Sequence, residues 1–396
     1  MKQRLLPLVT GLIPLFVAAH FAHHLVIALP SPLMPMIRSE FGLDYTQAGF
    51  VLSAFGIAYG IAQLPAGWLA DRIGPRILLV AGVSGVAVMG ILFGLSPVYA
   101  GLLICLVLMG IAGGGYHPST PPLISAAVPP QNRGRALGLH MIGGAAAYFL
   151  APLSGAAIAV FLGWRGPFLV LGIPAFLFGL VLYRTLGRRL PQVKAAPSSE
   201  TARHKPVKTT DRRLAAFIAM STSAQAVTGS VVAFMALFIV DAHGVSTGAA
   251  AAMVSLTALA GLFAGPVGGW LSDRFGTVPV ATVVCLLAGP MIFLLDLSPT
   301  VAAVAVVLLA IGTIGHVRMP VTENYLVSST SDRTRSTWLG VYYFAGMEGS
   351  GILTPVVGFM IDRFGFQTSF EVMAAVLMVI VVVCAALLWR RPLTGS

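Results

Sequence analysis

Charge is what this sequence has least of. Of its 396 residues only 9% are charged and 13 are acidic, against 57% hydrophobic residues and a mean hydropathy of +0.90. So little polar surface cannot coat a water-soluble globule of this length, and that class is excluded. Cysteine is scarce as well. Cys105, Cys285 and Cys384 lie in apolar stretches without paired spacing, which argues against a disulfide framework or a thiolate zinc site. Neither His-Glu-x-x-His nor Gly-x-Ser-x-Gly occurs in the apolar stretches, and no phosphate-binding glycine loop is found. An enzyme is therefore not expected, and no cofactor and no metal are called for.

What the chain has in quantity is apolar length. Twelve runs fall near 7–37, 45–70, 77–95, 99–125, 135–160, 166–186, 214–240, 247–271, 278–296, 300–327, 337–360 and 368–389. A helix needs about 20 residues to cross a hydrocarbon core, and lipid favours helices for such runs. The expected fold class is an all-α membrane protein of twelve transmembrane helices. Pro7, Pro14 and three histidines interrupt the first run, which is not expected to be a cleavable signal.

The net charge of +11 would suit nucleic acid were it not for its placement. Twenty of the 24 Lys and Arg residues sit in alternate loops, the central linker and the termini; the exceptions are Arg38, Arg165, Arg363 and the intrahelical Arg318. By the positive-inside rule both termini and the linker are expected on the cytoplasmic side of the inner (plasma) membrane, with the lipid bilayer and not nucleic acid as partner. Leu190 to Arg213 is rich in Pro, Ser, Thr, Lys and Arg and reads as a linker, its cluster Arg203, Lys205, Lys208, Arg212 and Arg213 suited to anionic lipid heads. The expected domains are six-helix bundles over 1–189 and 214–396, joined by 190–213.

The two bundles share a repeated turn. Gly67-Trp68-Leu69-Ala70-Asp71-Arg72-Ile73-Gly74-Pro75-Arg76 returns as Gly269-Trp270-Leu271-Ser272-Asp273-Arg274-Phe275-Gly276, an offset of 273 − 71 = 202 residues. Asp71 is placed to accept from a neighbouring helix N-terminus or to pair with a basic residue. A third copy, Gly358 to Gly365, falls at the opposite membrane face and reads as local turn chemistry.

The Gly67-x-x-x-Asp71-Arg72-x-Gly74-Pro75-Arg76 stretch resembles the signature loop of the major facilitator superfamily, with proline where a basic residue is usual. The second copy matches through Gly276 and departs at Thr277. The resemblance implies two pseudo-symmetric six-helix bundles around a central cavity, alternating access, and a conformational gate at Gly67, Asp71, Arg72, Gly74, Arg76, Asp273 and Arg274. Tyr116-His117-Pro118-Ser119 is similar to the aromatic His-Pro pattern of the fosmidomycin-resistance branch, with Ser119 where an acidic residue is usual. Ala151-Pro152 in the fifth span resembles the Gly-Pro motif of drug:proton antiporters, with alanine in place of glycine.

The polar residues inside the spans are the candidate site. His20 and His24 lie one turn apart on the first helix, with His23 about 60° away; they face a polar cavity or bond between helices. Gly110, Gly113, Gly114, Gly115 and Pro118 bend the fourth span beside Tyr116 and His117, and Gly315 to Pro320 mirror them at the same 202-residue offset. Arg318 needs an acidic partner or an anionic ligand, since a charge at mid-helix costs about 2.5 to 3.5 kcal/mol on insertion scales. Glu348 is the expected partner, and a pairing that merely ties helices together is the competing reading. Two residues before Arg318, about 200° round the helix, His316 is expected to pack between helices. His140 is expected to be structural.

The expected substrate-binding set is thus Arg318, His117, His20, His24, Tyr116 and Gln225, with Glu348, His24 and Glu323 as proton carriers. The function expected is proton-coupled secondary transport of a small, anionic organic molecule by a monomer, export being favoured by the branch resemblances. The alternatives are an importer or facilitator of an organic-acid metabolite, or a non-transporting membrane receptor or assembly factor of the same fold.

Overall fold

The computed structural model describes residues 11–129, 132–190, 212–330 and 335–389. The helices are α1 (Ile13–Ile27), α2 (Pro30–Phe41), α3 (Tyr45–Ile73), α4 (Pro75–Leu95), α5 (Tyr99–Gly113), α6 (Tyr116–Ala127), α7 (Arg133–Leu162) and α8 (Arg165–Arg189). They continue as α9 (Arg212–Ala233), α10 (Met235–His243), α11 (Thr247–Leu259), α12 (Gly261–Phe275), α13 (Thr277–Asp296), α14 (Val301–Ser329) and α15 (Arg335–Trp389). No strand occurs among the described residues.

Among the described residues eleven helical stretches are long and apolar enough to cross a membrane, one fewer than the sequence suggests. The difference lies in α15, where Trp338–Trp389 forms a single stretch of 52 residues. At roughly 1.5 Å per residue that length is about 78 Å, far more than a hydrocarbon core of about 30 Å. Gly365 has φ 75° and ψ 174°, a non-helical conformation that divides α15 into two helices. The break falls between the runs expected at 337–360 and 368–389, so twelve crossings remain.

Proline and glycine decide where the other spans bend. The first span changes helix at Ala28–Leu29, ahead of Pro30 at the start of α2. The fourth breaks at Gly114 and Gly115, between α5 and α6. Its counterpart α14 runs unbroken through Pro320, so of the expected pair the first-half span alone changes helix.

By internal contact the chain forms two compact units, 1–43 with 50–202 and 244–255, and 44–49 with 203–243 and 256–396. The division falls within the expected linker, of which 191–211 lies outside the described residues, as do the linker's Arg203, Lys205 and Lys208. Two short segments, 44–49 and 244–255, group with the other half. In the first unit α1 packs on α7 and α4 on α8; in the second α9 packs on α15 and α12 on α14.

Segment 44–49 joins the second unit through Asp362. That carboxylate accepts the backbone N–H of Tyr45 and Thr46 at 2.8 Å each and the Thr46 hydroxyl at 2.6 Å, while Tyr45 Oη donates to Asp241 at 2.6 Å. A carboxylate at the free N–H groups of a first helical turn satisfies them and complements the helix dipole. The third copy of the loop pattern, read from sequence as a local turn, thus makes a contact 317 residues long in sequence.

The repeated turn has the same backbone in both halves. Gly74 sits at φ 94°, ψ 138° and Gly276 at φ 86°, ψ 150°, a region that side-chain-bearing residues rarely enter. Each copy also folds its arginine back over its tryptophan, Arg72 on Trp68 at 3.9 Å and Arg274 on Trp270 at 5.6 Å. Arg76 lies over Tyr183 at 4.6 Å, and Asp273 is exposed. Gly67 and the Asp71 side chain lie outside the described residues.

Candidate functional site

Two polar centres form among the apolar helices, one in each unit. In the second unit Ser221 and Gln225 stand one turn apart on α9 and so share a face. Arg318 of α14 meets that face. Its Nη1 donates to the Ser221 carbonyl at 3.0 Å, to Ser221 Oγ at 2.8 Å and to Tyr342 Oη at 3.0 Å, and its Nη2 to Gln225 Oε1 at 3.3 Å. Thr322, a turn on, donates to the Arg318 carbonyl at 2.9 Å and lies 2.8 Å from Ser221 Oγ.

Tyr342 is held by apolar packing with Leu214, Ile218 and Leu326, its ring buried and its hydroxyl turned to the guanidinium. Gly346 leaves room for Gln225: a Cβ there would lie 2.6 Å from Oε1. Among the described residues every acceptor on Arg318 is neutral. The residue is 7% exposed, and no carboxylate among the described residues pairs with it.

The expected pairing of Arg318 with Glu348 is therefore not what the structure contains. Glu348 Oε1 is buried without a hydrogen-bond partner among the described residues, and Glu323 accepts from Tyr343 Oη at 2.5 Å. The neutral ring of acceptors orients the guanidinium without cancelling its charge. His316 turns away, as its helical position requires: its Nδ1 meets the Gly312 carbonyl at 2.8 Å and its ring packs over Gly261.

In the first unit His20, His23 and His24 of α1, His117 of α6 and His140 of α7 form one cluster with Tyr116. His20 stacks on His140 at 4.1 Å between centroids, and His23 on Tyr116 at 4.2 Å. His20 Nδ1 bonds the His140 carbonyl at 2.9 Å and His140 Nδ1 the Phe16 carbonyl at 3.1 Å, a reciprocal pair tying α1 to α7. His23 Nδ1 bonds the Gly82 carbonyl at 3.1 Å, with Tyr59 Oη at 3.5 Å from its Nε2. The helices come this close because Gly143 and Gly144 present no side chain: a Cβ on Gly144 would lie 2.7 Å from the His20 ring.

The sequence named Arg318, His117, His20, His24, Tyr116 and Gln225 as one set; the structure brings Arg318 to Gln225 within the second unit and groups His20, His24, His117 and Tyr116 within the first. Tyr342 is an additional member, and His23, read in the sequence beside His20 and His24, joins the cluster together with His140. A tyrosine or histidine in an apolar helix needs a partner for its polar atoms, and that was the available signal.

The sequence profile described as Major Facilitator Superfamily matches residues 16–346. The chain belongs to that superfamily. Among curated relatives it is similar to the "Probable sulfoacetate transporter SauU" of Cupriavidus necator, 26% identical over 87% of this chain and 85% of the relative. "Multidrug resistance protein MdtG" of Salmonella arizonae is 24% identical over 89% of each. The "Probable L-galactonate transporter" of Escherichia coli is 32% identical over 37% of this chain, which spans 33% of that relative's length.

Among solved structures, a bacterial homologue of the human lysosomal transporter Spinster, inward-facing and occupied, superposes with a TM-score of 0.78 at 20% identity, covering 98% of this chain and 96% of that one. A transporter of the POT family bound to a thioalcohol-conjugated peptide gives 0.79 at 16% identity, over 94% and 95%. At these identities the likeness is one of fold. This superfamily member is thus a multi-pass membrane transporter of small organic molecules with the major facilitator fold.

Proposed function

We propose that this transporter is a proton-coupled exporter of a small organic anion, working by alternating access in the inner membrane with both termini cytoplasmic. The observation that carries the reading is Arg318, a buried guanidinium whose acceptors among the described residues are all neutral. A cation that its own protein leaves uncompensated inside a membrane bundle is suited to a negative guest. Two relatives carry names of carboxylate-bearing substrates, galactonate and sulfoacetate, which agrees with that chemistry.

Binding at Arg318 uses the planar fork, with Tyr342 and Gln225 fixing its plane. Tyr116, His117, His20 and His24, grouped in the first unit, are the further substrate-binding residues of this reading. Glu348, whose Oε1 has no partner, carries the coupled proton; Glu323, bonded to Tyr343, and His24 are the other carriers proposed. Coupling requires that proton and substrate each change the other's affinity. Gly67, Asp71, Arg72, Gly74, Arg76, Asp273 and Arg274 form the gate. Export is supported by the Ala151-Pro152 resemblance and by the likeness to the multidrug resistance protein.

Counterflow in proteoliposomes tests this, with sulfoacetate and galactonate as probes and a pH gradient imposed in either direction. Exchange of an organic anion that falls at least tenfold in Arg318→Gln, and net anion movement against an imposed proton gradient, are expected. Exchange indifferent to Arg318→Gln contradicts the anion assignment, and indifference to the gradient contradicts the coupling.

A further inference from the structure

The histidine cluster of the first unit contains a smaller figure than five packed rings. The rings of His20, His24 and His117 form a near-equilateral triangle, with centroids 4.8 Å apart for His20–His24 and 5.4 Å for each of the other two sides. One ligand-capable nitrogen from each lies within 4.8 Å of the others. A tetrahedral ion with metal–nitrogen bonds of about 2.0–2.1 Å holds its nitrogens about 3.4 Å apart, so rotation of the three rings toward a common centre completes the site.

Hydrogen bonding separates ligands from supports. His23 has a neighbour at each nitrogen, Gly82 at Nδ1 and Tyr59 at Nε2. His140 commits Nδ1 to the Phe16 carbonyl and stacks on His20. His20 gives its Nδ1 to the His140 carbonyl, which can only accept; the proton therefore sits on Nδ1 and the Nε2 lone pair is free. That is the support a metal-binding imidazole ordinarily has. His24 is 8% exposed, and its Nδ1 is buried with no hydrogen-bond partner among the described residues, a costly state for a polar nitrogen unless a ligand completes it.

We propose that His20, His24 and His117 form a binding site for a borderline divalent transition-metal ion of the Zn²⁺, Cu²⁺, Ni²⁺ or Co²⁺ type. Three neutral imidazoles suit such ions, leave the dipositive charge intact and keep one coordination position open. His140 and Phe16 act as supports that fix His20. Cysteine spacing and the absence of His-Glu-x-x-His gave no sign of a metal in the sequence, and His117 lies 97 residues after His20.

The purified full-length chain, stripped of metal in detergent, is titrated with Zn²⁺ by calorimetry and with Co²⁺ by visible absorption, neither of which requires transport. One site per chain is expected, with affinity at least tenfold weaker in His24→Ala and in His117→Ala and unchanged in His316→Ala and His243→Ala. To separate loss of metal from loss of fold, His117→Cys is added: it should give Co²⁺ a thiolate charge-transfer band that wild type lacks. No stoichiometric site in the wild type, affinity indifferent to His24→Ala and His117→Ala, or His117→Cys without the new band would each overturn the assignment. All of these results are independent of whether an anion binds at Arg318.

Discussion

Gly74 and Gly276, 202 positions apart in sequence, hold nearly the same left-of-normal backbone, φ 94° and φ 86°, each between a helix that ends on an arginine-bearing turn and the helix that follows. The duplication visible as a repeated motif is therefore a duplication of turn geometry. Nothing lies within 4 Å of a Cβ placed on Gly74, so Gly74→Ala isolates backbone strain. A loss of about 1–3 kcal/mol is expected from a side chain forced into this region. Thermal unfolding in detergent should show the melting point falling in Gly74→Ala, and less or not at all in Gly42→Asn, where φ 61°, ψ 36° is a conformation asparagine tolerates.

Arg318→Lys separates charge from shape. Lysine keeps the positive charge but cannot reach Ser221, Tyr342 and Gln225 as one planar fork. Apparent affinity for an organic anion should fall about 10- to 100-fold, the worth of one or two charge-assisted hydrogen bonds, while some transport remains. Tyr342→Phe removes a single bond to Nη1 and should cost about tenfold or less. Concentration dependence of counterflow reads both.

Glu348→Gln tests the proton carrier. Gln keeps the shape and removes the exchangeable proton, so anion exchange should persist while accumulation driven by a pH gradient disappears. Glu323→Gln serves as comparison, since Glu323 already has Tyr343 as its hydrogen-bond donor. Gradient-driven uptake set against exchange at equal pH distinguishes the two variants.

Gly143→Ala should be harsher than Gly144→Ala. A Cβ at Gly143 runs into the Val17 carbonyl, which is backbone of α1, whereas at Gly144 it meets the His20 ring. Backbone cannot yield without moving α1, so Gly143→Ala is expected to lower the melting point several degrees more. Gly144→Ala should instead disturb the His20–His140 stack and, with it, metal binding.

The contrast between these residues explains what could be read in the chain. The spans were legible because apolar length is a local property, and even the twelfth crossing, joined to the eleventh in α15, is marked by Gly365. Arg318 was legible as an expensive charge, and Gln225 as a polar residue in the seventh span. The rest of the Arg318 hydrogen-bond shell was not, since charge complementarity pointed to Glu348 whereas the packing of α9 and α15 supplied Ser221 and Tyr342. The histidines followed the same rule: the His20–His24 spacing is local, and the placement of His117 beside them depends on the break at Gly114 and Gly115. Asp362 was misread as a turn residue because its partners, Tyr45 and Thr46, lie more than 300 positions away.

The central claim is that Arg318 is an anion site, and one comparison tests it most directly: binding of sulfoacetate and of its uncharged ester-amide analogue to the purified chain, for wild type and Arg318→Gln. Wild type should prefer the anion over the neutral analogue by tenfold or more, and Arg318→Gln should abolish that preference while keeping the wild-type melting point. Equal preference in both proteins, with the variant folded, would contradict it.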